Sequence, residues 1–409
     1  MTPKACDGSS SPAKKIVVIA GLGWSLVNFR IELIRRMVAN GHDVLALAPE
    51  FDDETLARLT ALGIRTRRIL LDRTGTNPIR DIGTVWSIFR VLRDERPDVV
   101  LAYTMKPIVY GGLAARLAGV RQVFALFTGL GYAFMDGHSD AKRRLIRLVT
   151  VVLHRVSLRR INGAFCYNEQ ERRDLRGYRL IPEHVPLIMV PGSGVDTSWF
   201  TPTPPVLSPV RFLFIGRMLK SKGVGILMEA QRRLRDQGVR AEVHLVGPFD
   251  SNPDAVTAQD VRAWEDAGLA VYHGESRDVR PHLAASTVFV LPTFLREGIP
   301  RTILEAMASG RAIITTDAPG CGSSITDEET GFVVPAGQAE PLVTAMRRFV
   351  ENPKLAVTMG LAARQRACEI YDVRHVNALL LQAMRLEGSS AQSRHSGEAL
   401  SQTTNAVDS

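Results

Sequence analysis

Four cysteines, Cys6, Cys166, Cys321 and Cys368, are scattered over 409 residues. No Cys-x-x-Cys spacing or partnered histidine accompanies them. That excludes a zinc ribbon and a disulfide framework, and it points to a reducing compartment, the cytoplasm by default. No apolar run reaches membrane-spanning length. Met1–Lys15 is polar and serine-rich and lacks the apolar core of a secretory signal. Neither basic–aromatic interleaving nor a helix-turn-helix pattern is present, so nucleic acid is not an expected partner. Gly21-x-Gly23 follows the first apolar run, but the third glycine of a dinucleotide fingerprint would fall at Leu26. This argues against an NAD-dependent oxidoreductase, even with Glu50 available as a ribose ligand.

What is there is an ordinary globular composition, 45% hydrophobic and 23% charged, in a chain long enough for two domains. The net charge of +9 is unevenly placed. Residues 1–200 hold 29 Lys+Arg against 19 Asp+Glu, and the remainder holds 22 against 23. A basic N-terminal half can attract a phosphorylated substrate or an anionic membrane surface.

Lys15–Ala20 is a continuous apolar run ended by glycine, as in a buried parallel strand. A helix over Asn28–Asn40, stopped by Gly41, is expected next. Strands follow at Asp43–Pro49, Asp98–Ala102, Gln122–Phe127 and Ile188–Val190. The proline-rich stretch 201–209 reads as a linker. The pattern restarts at Val210–Ile215, Glu242–Val246, Thr287–Leu291 and Ala312–Thr315. The expectation is α/β: two doubly wound parallel-sheet domains, 14–200 and 210–369, facing a cleft, with ligand at the strand C-terminal ends. The tail 389–409, rich in Ser, Gln and Thr, reads as disordered.

Two constellations could carry chemistry. In Arg296-Glu-Gly-Ile-Pro-Arg-Thr-Ile-Leu-Glu-Ala-Met-Ala-Ser-Gly310, Pro300 suits a helix N1 position and Gly310 its stop. Glu297 then sits just before a helix N-terminus that favours an anion such as a diphosphate. Glu305 lies over a turn inside, where a carboxylate can accept from a ribose diol. Upstream, Gly216-Arg217 ends a strand and Lys222-Gly223 precedes a helix. Two cations aimed at one site can neutralise a diphosphate leaving group.

Together, Gly-Arg-x4-Lys-Gly followed by Glu-x7-Glu resembles glycosyltransferase family 4, of the GT-B fold, over roughly residues 15–385. Pro191–Phe200 resembles the segment before that family's linker. The resemblance implies transfer with retention, no cofactor beyond a nucleotide-sugar donor and no obligatory metal; Asp-x-Asp occurs nowhere in the chain. It implies that Arg217 and Lys222 hold the diphosphate, Glu297 the donor sugar and Glu305 the ribose. Gly216, Gly298, Ile299 and Pro300 would complete the donor site, with His273 near the base and Gly21 and Gly23 in the N-terminal glycine loop. Residues 370–388 would cross back to the first domain. Thr128 stands where family members often carry histidine.

Leu101–Pro107, Tyr110–Gly112 and Thr128–Phe134 resemble the branch acting on lipid-diphosphate-linked sugars, which mostly uses UDP-sugars. Gly322 and Ser323 depart from that branch's Arg-Glu pair. Lys106, Thr128 and Gly129 are the acceptor-side candidates, with a solvated surface lysine the alternative for Lys106. Lys142–Arg160 carries seven Lys/Arg and no acid among aliphatic residues. Such a helix suits a headgroup interface through Lys142, Arg143, Arg144 and Arg147, or else an internal helix with one solvated side. The function expected is hexose or N-acetylhexosamine transfer to a polyprenyl-diphosphate-linked sugar, at the inner membrane face. A soluble acceptor is the alternative, and a non-catalytic sugar-nucleotide binder a remoter one.

Overall fold

The computed structural model describes residues 12–72, 78–129 and 141–387, and side chains within these except at 78–79 and 141–147. The expected tail, the run after Gly129 and the side chains of Lys142, Arg143, Arg144 and Arg147 therefore lie outside the described residues.

Two parallel sheets form the framework. The first has strands β1 (Lys15–Ile19), β2 (Asp43–Ala48), β3 (Arg65–Arg68), β4 (Val99–Tyr103), β5 (Gln122–Leu126), β6 (Gly163–Cys166) and β7 (Leu187–Met189), in the order β3-β2-β1-β4-β5-β6-β7. Between them run α1 (Gly23–Ala39), α2 (Asp53–Ala61), α3 (Pro78–Glu95), α4 (Met105–Leu117), α5 (Ala141–Leu158) and α6 (Glu169–Gly177). The second sheet has β8 (Arg211–Ile215), β9 (Glu242–Val246), β10 (Val271–Tyr272), β11 (Val288–Leu291), β12 (Ala312–Thr316) and β13 (Gly331–Val334), in the order β10-β9-β8-β11-β12-β13. Its helices are α7 (Val224–Asp236), α8 (Ala258–Asp266), α9 (Arg280–Ala284), α10 (Arg301–Ala308), α11 (Ala339–Glu351), α12 (Lys354–Ile370) and α13 (Val373–Met384). The sheets reverse strand order beside β1 and β8, as doubly wound folds do.

The central strands are apolar throughout because helical crossovers cover a parallel sheet. Ile16 to Ile19 are fully buried, with Ile16 level with Val44 on one side and Val99 on the other. In the second sheet, Phe212, Phe214 and Phe289 pack with Leu227, Leu304 and Phe349 from α7, α10 and α11 in one core. Each such side chain contributes about 2–3 kcal/mol.

Four strands, β3, β6, β10 and β13, were not among those expected from the sequence. Strand β3 is Arg-Thr-Arg-Arg, with no apolar pattern; its pairing to β2 makes it a strand, and its charge protects an exposed edge. Helix α1 begins at Gly23, five residues earlier than its periodicity suggested, so the glycine loop runs straight into it. Pro300 is the N-cap of α10 rather than its first residue, and Gly310, at φ +72°, follows its C-cap.

The chain packs as two compact units. One takes in residues up to 125, with 160–163 and the chain from 377 on; the other takes in 126–159 and 164–376. Within the first, the carbonyl of Leu386 accepts from Asn40 Nδ2 (2.8 Å) and lies 3.2 Å from His42 Nε2.

Candidate active site

In the second unit, β8 ends at Ile215 and the chain turns at Gly216. Gly247, just past β9, has φ +142°, and a β-carbon there would stand 2.0 Å from the Gly216 carbonyl oxygen. Arg217 follows, with Nη1 2.7 Å from Asp250 Oδ2 and its guanidinium largely exposed. Lys220–Lys222 forms a single 3-10 turn closed by Gly223 at φ +80°. A β-carbon on Gly223 would lie 2.0 Å from the Pro292 carbonyl oxygen. Glycine at this position therefore lets the Lys222 turn press against the end of β11.

That approach brings Lys222 to Glu297. Its Nζ stands 2.6 Å from Glu297 Oε1, with the two side chains only 12% and 22% exposed. Thr293 donates to the Ser221 carbonyl at 3.0 Å and lies 3.5 Å from the same carboxylate oxygen.

The loop Glu297–Pro300 is braced on both sides. Gly320, at φ +82°, is so close that a β-carbon would fall 1.5 Å from the Gly298 carbonyl oxygen. Opposite, Asn168 Nδ2 donates to the carbonyls of Gly298 (3.0 Å) and Glu297 (3.4 Å). The Oδ1 of Asn168 caps α6 by accepting from Glu171 N. Buried Glu171 in turn accepts from Gly129 N (2.7 Å) and Tyr167 N (2.8 Å), and burial raises its pKa. Gly129 thus stands beside the loop, with an added β-carbon 3.7 Å from Gly298 N, and Thr128 immediately precedes it. Asn168, Glu171 and Asp250 have no motif spacing, and sequence reasoning did not find them. The only available signal was Asn168 as a helix N-cap with Glu171 three residues on.

Glu305 lies in the second turn of α10, where Arg301 Nε donates to its Oε1 at 2.8 Å. Burial pushes its carboxyl pKa up, against the opposing effect of Arg301. No side chain caps the start of α10. His273 turns its ring to His244, with His273 Nε2 2.8 Å from His244 Nδ1, and it also neighbours His282. Burial and these two rings hold its pKa below the ordinary value.

Gly21, Gly23 and Lys106 belong to the first unit. A β-carbon on Gly23 would lie 2.2 Å from the Glu50 carbonyl oxygen, and one on Gly21 would lie 3.0 Å from Thr104 Oγ1. Lys106 donates to the Asp72 carbonyl at 2.8 Å and pairs with Asp81 at 3.5 Å, so its ammonium is tied within that unit. Buried Cys166 and Cys321 have pKa values raised by burial. Among the described residues, no three His, Cys, Asp or Glu are placed to share a metal ion.

Comparison with known proteins gives these features a context. A model of the glycosyl transferase 4-like domain matches residues 31–191, and one of the glycosyl transferases group 1 matches 209–352. The N,N'-diacetylbacillosaminyl-diphospho-undecaprenol alpha-1,3-N-acetylgalactosaminyltransferase of Campylobacter jejuni is 27% identical over 88% of this chain and 95% of its own length. The UDP-Gal:alpha-D-GlcNAc-diphosphoundecaprenol alpha-1,3-galactosyltransferase of Escherichia coli is 25% identical over 68% of this chain and 73% of its own. The sucrose-phosphate synthase of Thermosynechococcus elongatus superposes with TM-score 0.74 at 19% identity, over 91% of this chain and 98% of its own. Anabaena HepE, solved with UDP and glucose, does so with TM-score 0.74 at 16% identity, over 91% and 99%. The two solved structures share the fold, and the two family models match both halves of the chain: it is a glycosyltransferase of the GT-B fold, its N-terminal half matching the glycosyl transferase 4-like domain and its C-terminal half the glycosyl transferases group 1.

Proposed function

We propose that the protein is a retaining, metal-independent hexosyltransferase. It moves a hexose or N-acetylhexosamine from a UDP-sugar to a polyprenyl-diphosphate-linked sugar at the inner face of the plasma membrane, in surface polysaccharide or oligosaccharide synthesis. The observation carrying this reading is the largely buried Lys222–Glu297 pair, 2.6 Å apart, whose glutamate lies just before the helix that bears Glu305. The Campylobacter and Escherichia relatives, whose names specify undecaprenol-diphosphate acceptors, support the acceptor class.

In this reading, before the donor binds, Lys222 is neutralised by Glu297 and Glu305 is held by Arg301. The donor diphosphate takes the Lys222 ammonium and the Arg217 guanidinium. Glu297 is then released to accept from hydroxyls of the donor sugar, and Glu305 to accept from the ribose diol. The acceptor hydroxyl attacks the anomeric carbon on the face the diphosphate leaves. The bond from that carbon to the phosphate oxygen breaks with its electron pair on the oxygen, which takes the hydroxyl proton. The cations stabilise charge that grows in the transition state, which is where binding energy accelerates a reaction.

Calorimetry with UDP and GDP in the presence of a chelator tests the donor site. UDP should bind, about 10–100-fold more weakly after Glu305→Ala, the range for a lost hydrogen bond to a charged group. Lys222→Ala should lower kcat by about 10²–10³. Preference for GDP, as in the name of a mycobacterial mannosyltransferase 26% identical over 72% of this chain, would change the donor class. With a polyprenyl-diphosphate-linked sugar as acceptor, an inverted anomeric coupling in the product would overturn retention. Transfer only to soluble sugars would overturn the acceptor.

A further inference from the structure

We propose that an arginine-lined pocket at the C-terminal ends of α5 and α6 receives the phosphate of an anionic phospholipid and seats the protein on a bilayer. The proposal rests on the reading that the acceptor is lipid-borne, and it adds a site separate from the donor loop. Helix α6 is capped at its start by Asn168, which holds Gly298, and its far end bears Arg176 eight residues on, about 12 Å along the helix.

The pocket encloses about 480 Å³ and is lined by Arg155 from α5, Arg159 just past its end, Arg176 from α6, and Arg179, Glu183 and His184 after it. Four guanidiniums thus face one carboxylate, and none of the four pairs with any carboxylate among the described residues. Arginine cannot shed its charge, so the concavity stays cationic at any physiological pH. Part of this charge has a structural explanation. Arg155 and Arg176 sit in the last turns of their helices, where cations complement the dipole. Arg176 also braces the following loop through the carbonyls of Ile181, Pro182 and Val185. Among the described residues Arg155 uses only Nε, on the Arg179 carbonyl at 3.0 Å, and its Nη groups make no hydrogen bond. The guanidiniums of Arg159 and Arg179 make no hydrogen bond among the described residues, and Arg179 holds φ +54°, which a β-carbon disfavours. Forked donors around a concavity match phosphate geometry.

The neighbouring surface selects a bilayer over a free anion. Leu148, Val149, Val152 and Val156 on α5 are exposed, Leu148 by 60%. Leu148, Val152 and Val156 recur every fourth residue, so they form one stripe. Arg155 follows Val152 at i+3 in the last turn of the helix, and Arg159 comes just past its end, so the stripe leads into the pocket. An aliphatic stripe beside cations suits the boundary between acyl chains and headgroups. A protein partner's anchors would instead call for aromatic residues, which α5 lacks.

The test is sedimentation of the full chain with vesicles of phosphatidylcholine alone and of phosphatidylcholine mixed with phosphatidylglycerol. Binding is expected only to the mixed vesicles. The double variant Arg155→Gln/Arg159→Gln should bind them about 30-fold more weakly, at about 1 kcal/mol per cation. The charge-matched control Arg36→Gln/Arg58→Gln should stay within about twofold. UDP binding unchanged in both variants would show intact folding. Equal loss in variant and control would overturn the pocket. So would absence of vesicle binding by the parent protein. Binding of inorganic phosphate by the parent protein that is lost in the double variant, without vesicle binding, would reassign the pocket to a soluble anion. Transfer to a lipid-linked acceptor in detergent should persist in the double variant; that separates failure of docking from failure of the enzymatic reading.

Discussion

Gly320 shows how far a single backbone position controls the candidate site. A β-carbon there would sit 1.5 Å from the carbonyl oxygen of Gly298 and 2.5 Å from that of Glu297, and φ is +82°. Gly320→Ala must therefore move the loop that aims Glu297 at Lys222, besides adopting a conformation that costs about 1–2 kcal/mol for a residue with a β-carbon. A loss of about 3 kcal/mol or more is expected in denaturant unfolding, with donor binding lost in parallel. Gly41 is the control: its φ is +87°, but nothing lies within 4 Å of an added β-carbon. Gly41→Ala should cost about 1 kcal/mol and leave donor binding unchanged.

Among the elements, α6 has two jobs at its first turn. Asn168 caps the helix with Oδ1 and holds the Glu297 and Gly298 carbonyls with Nδ2. Asn168→Asp keeps the cap and sets an acceptor against two carbonyls. Asn168→Ala loses both interactions. Unfolding should show Asn168→Ala less stable by about 1–2 kcal/mol. In donor calorimetry the aspartate variant should be impaired at least as much, because repulsion displaces the loop. A normal donor affinity in Asn168→Asp would show that the Nδ2 contacts do not position Glu297.

Helix α5 buries His154 with Nδ1 2.7 Å from the Thr150 carbonyl and, among the described residues, no partner for Nε2. Burial lowers its pKa from 6.5 to about 4. Between these values the unfolded chain binds a proton that the folded protein refuses, so stability falls as pH drops through this window. The full effect is about 3 kcal/mol near pH 4. His154→Leu removes the titration, and its advantage over the parent should grow as pH is lowered from 7 to 4, read by denaturant midpoints at each pH.

Across the whole molecule, distant stretches of chain are latched at Asp372. Val195 N bonds the Tyr371 carbonyl and Val373 N returns to Val195, so residues 195–197 lie along the entry to α13. Thr197 and Arg374 both donate to the Asp372 carboxylate. Burial alone would raise its pKa; the bonds from Arg374 and Thr197 outweigh it and hold the carboxyl at about 2, below the ordinary 3.8. A depressed carboxylate stabilises the fold above its unfolded value, and that contribution disappears as pH falls through the folded one. Asp372→Asn should therefore cost about 2 kcal/mol near neutral pH, with the difference from the parent closing between pH 3.8 and 2. A difference that persisted at pH 2 would place the latch in packing instead of charge.

Much of this was legible in the sequence because parallel strands buried on both faces must be continuous apolar runs, as Ile16–Ile19 and Phe212–Ile215 are. The same holds for the placing of Arg217 and Lys222 between β8 and α7 and of Glu297 and Glu305 around the start of α10, because each pair's spacing within its own strand–turn–helix unit is a local property. Strand β3 was not legible, because four residues reading Arg-Thr-Arg-Arg become a strand only through pairing with β2. Nor were Asn168 and Glu171 as neighbours of Glu297, which lies more than 120 residues away. The turn of His273 towards His244 and His282, the capture of Lys106 by Asp72 and Asp81, and the arginine pocket at the ends of α5 and α6 likewise needed the fold. Sequence by itself determined the central apolar strands and the local motif, since both follow from periodicity and spacing. Only the tertiary structure decided the partners of each charge, since those depend on which distant segments packing brings within a few ångströms.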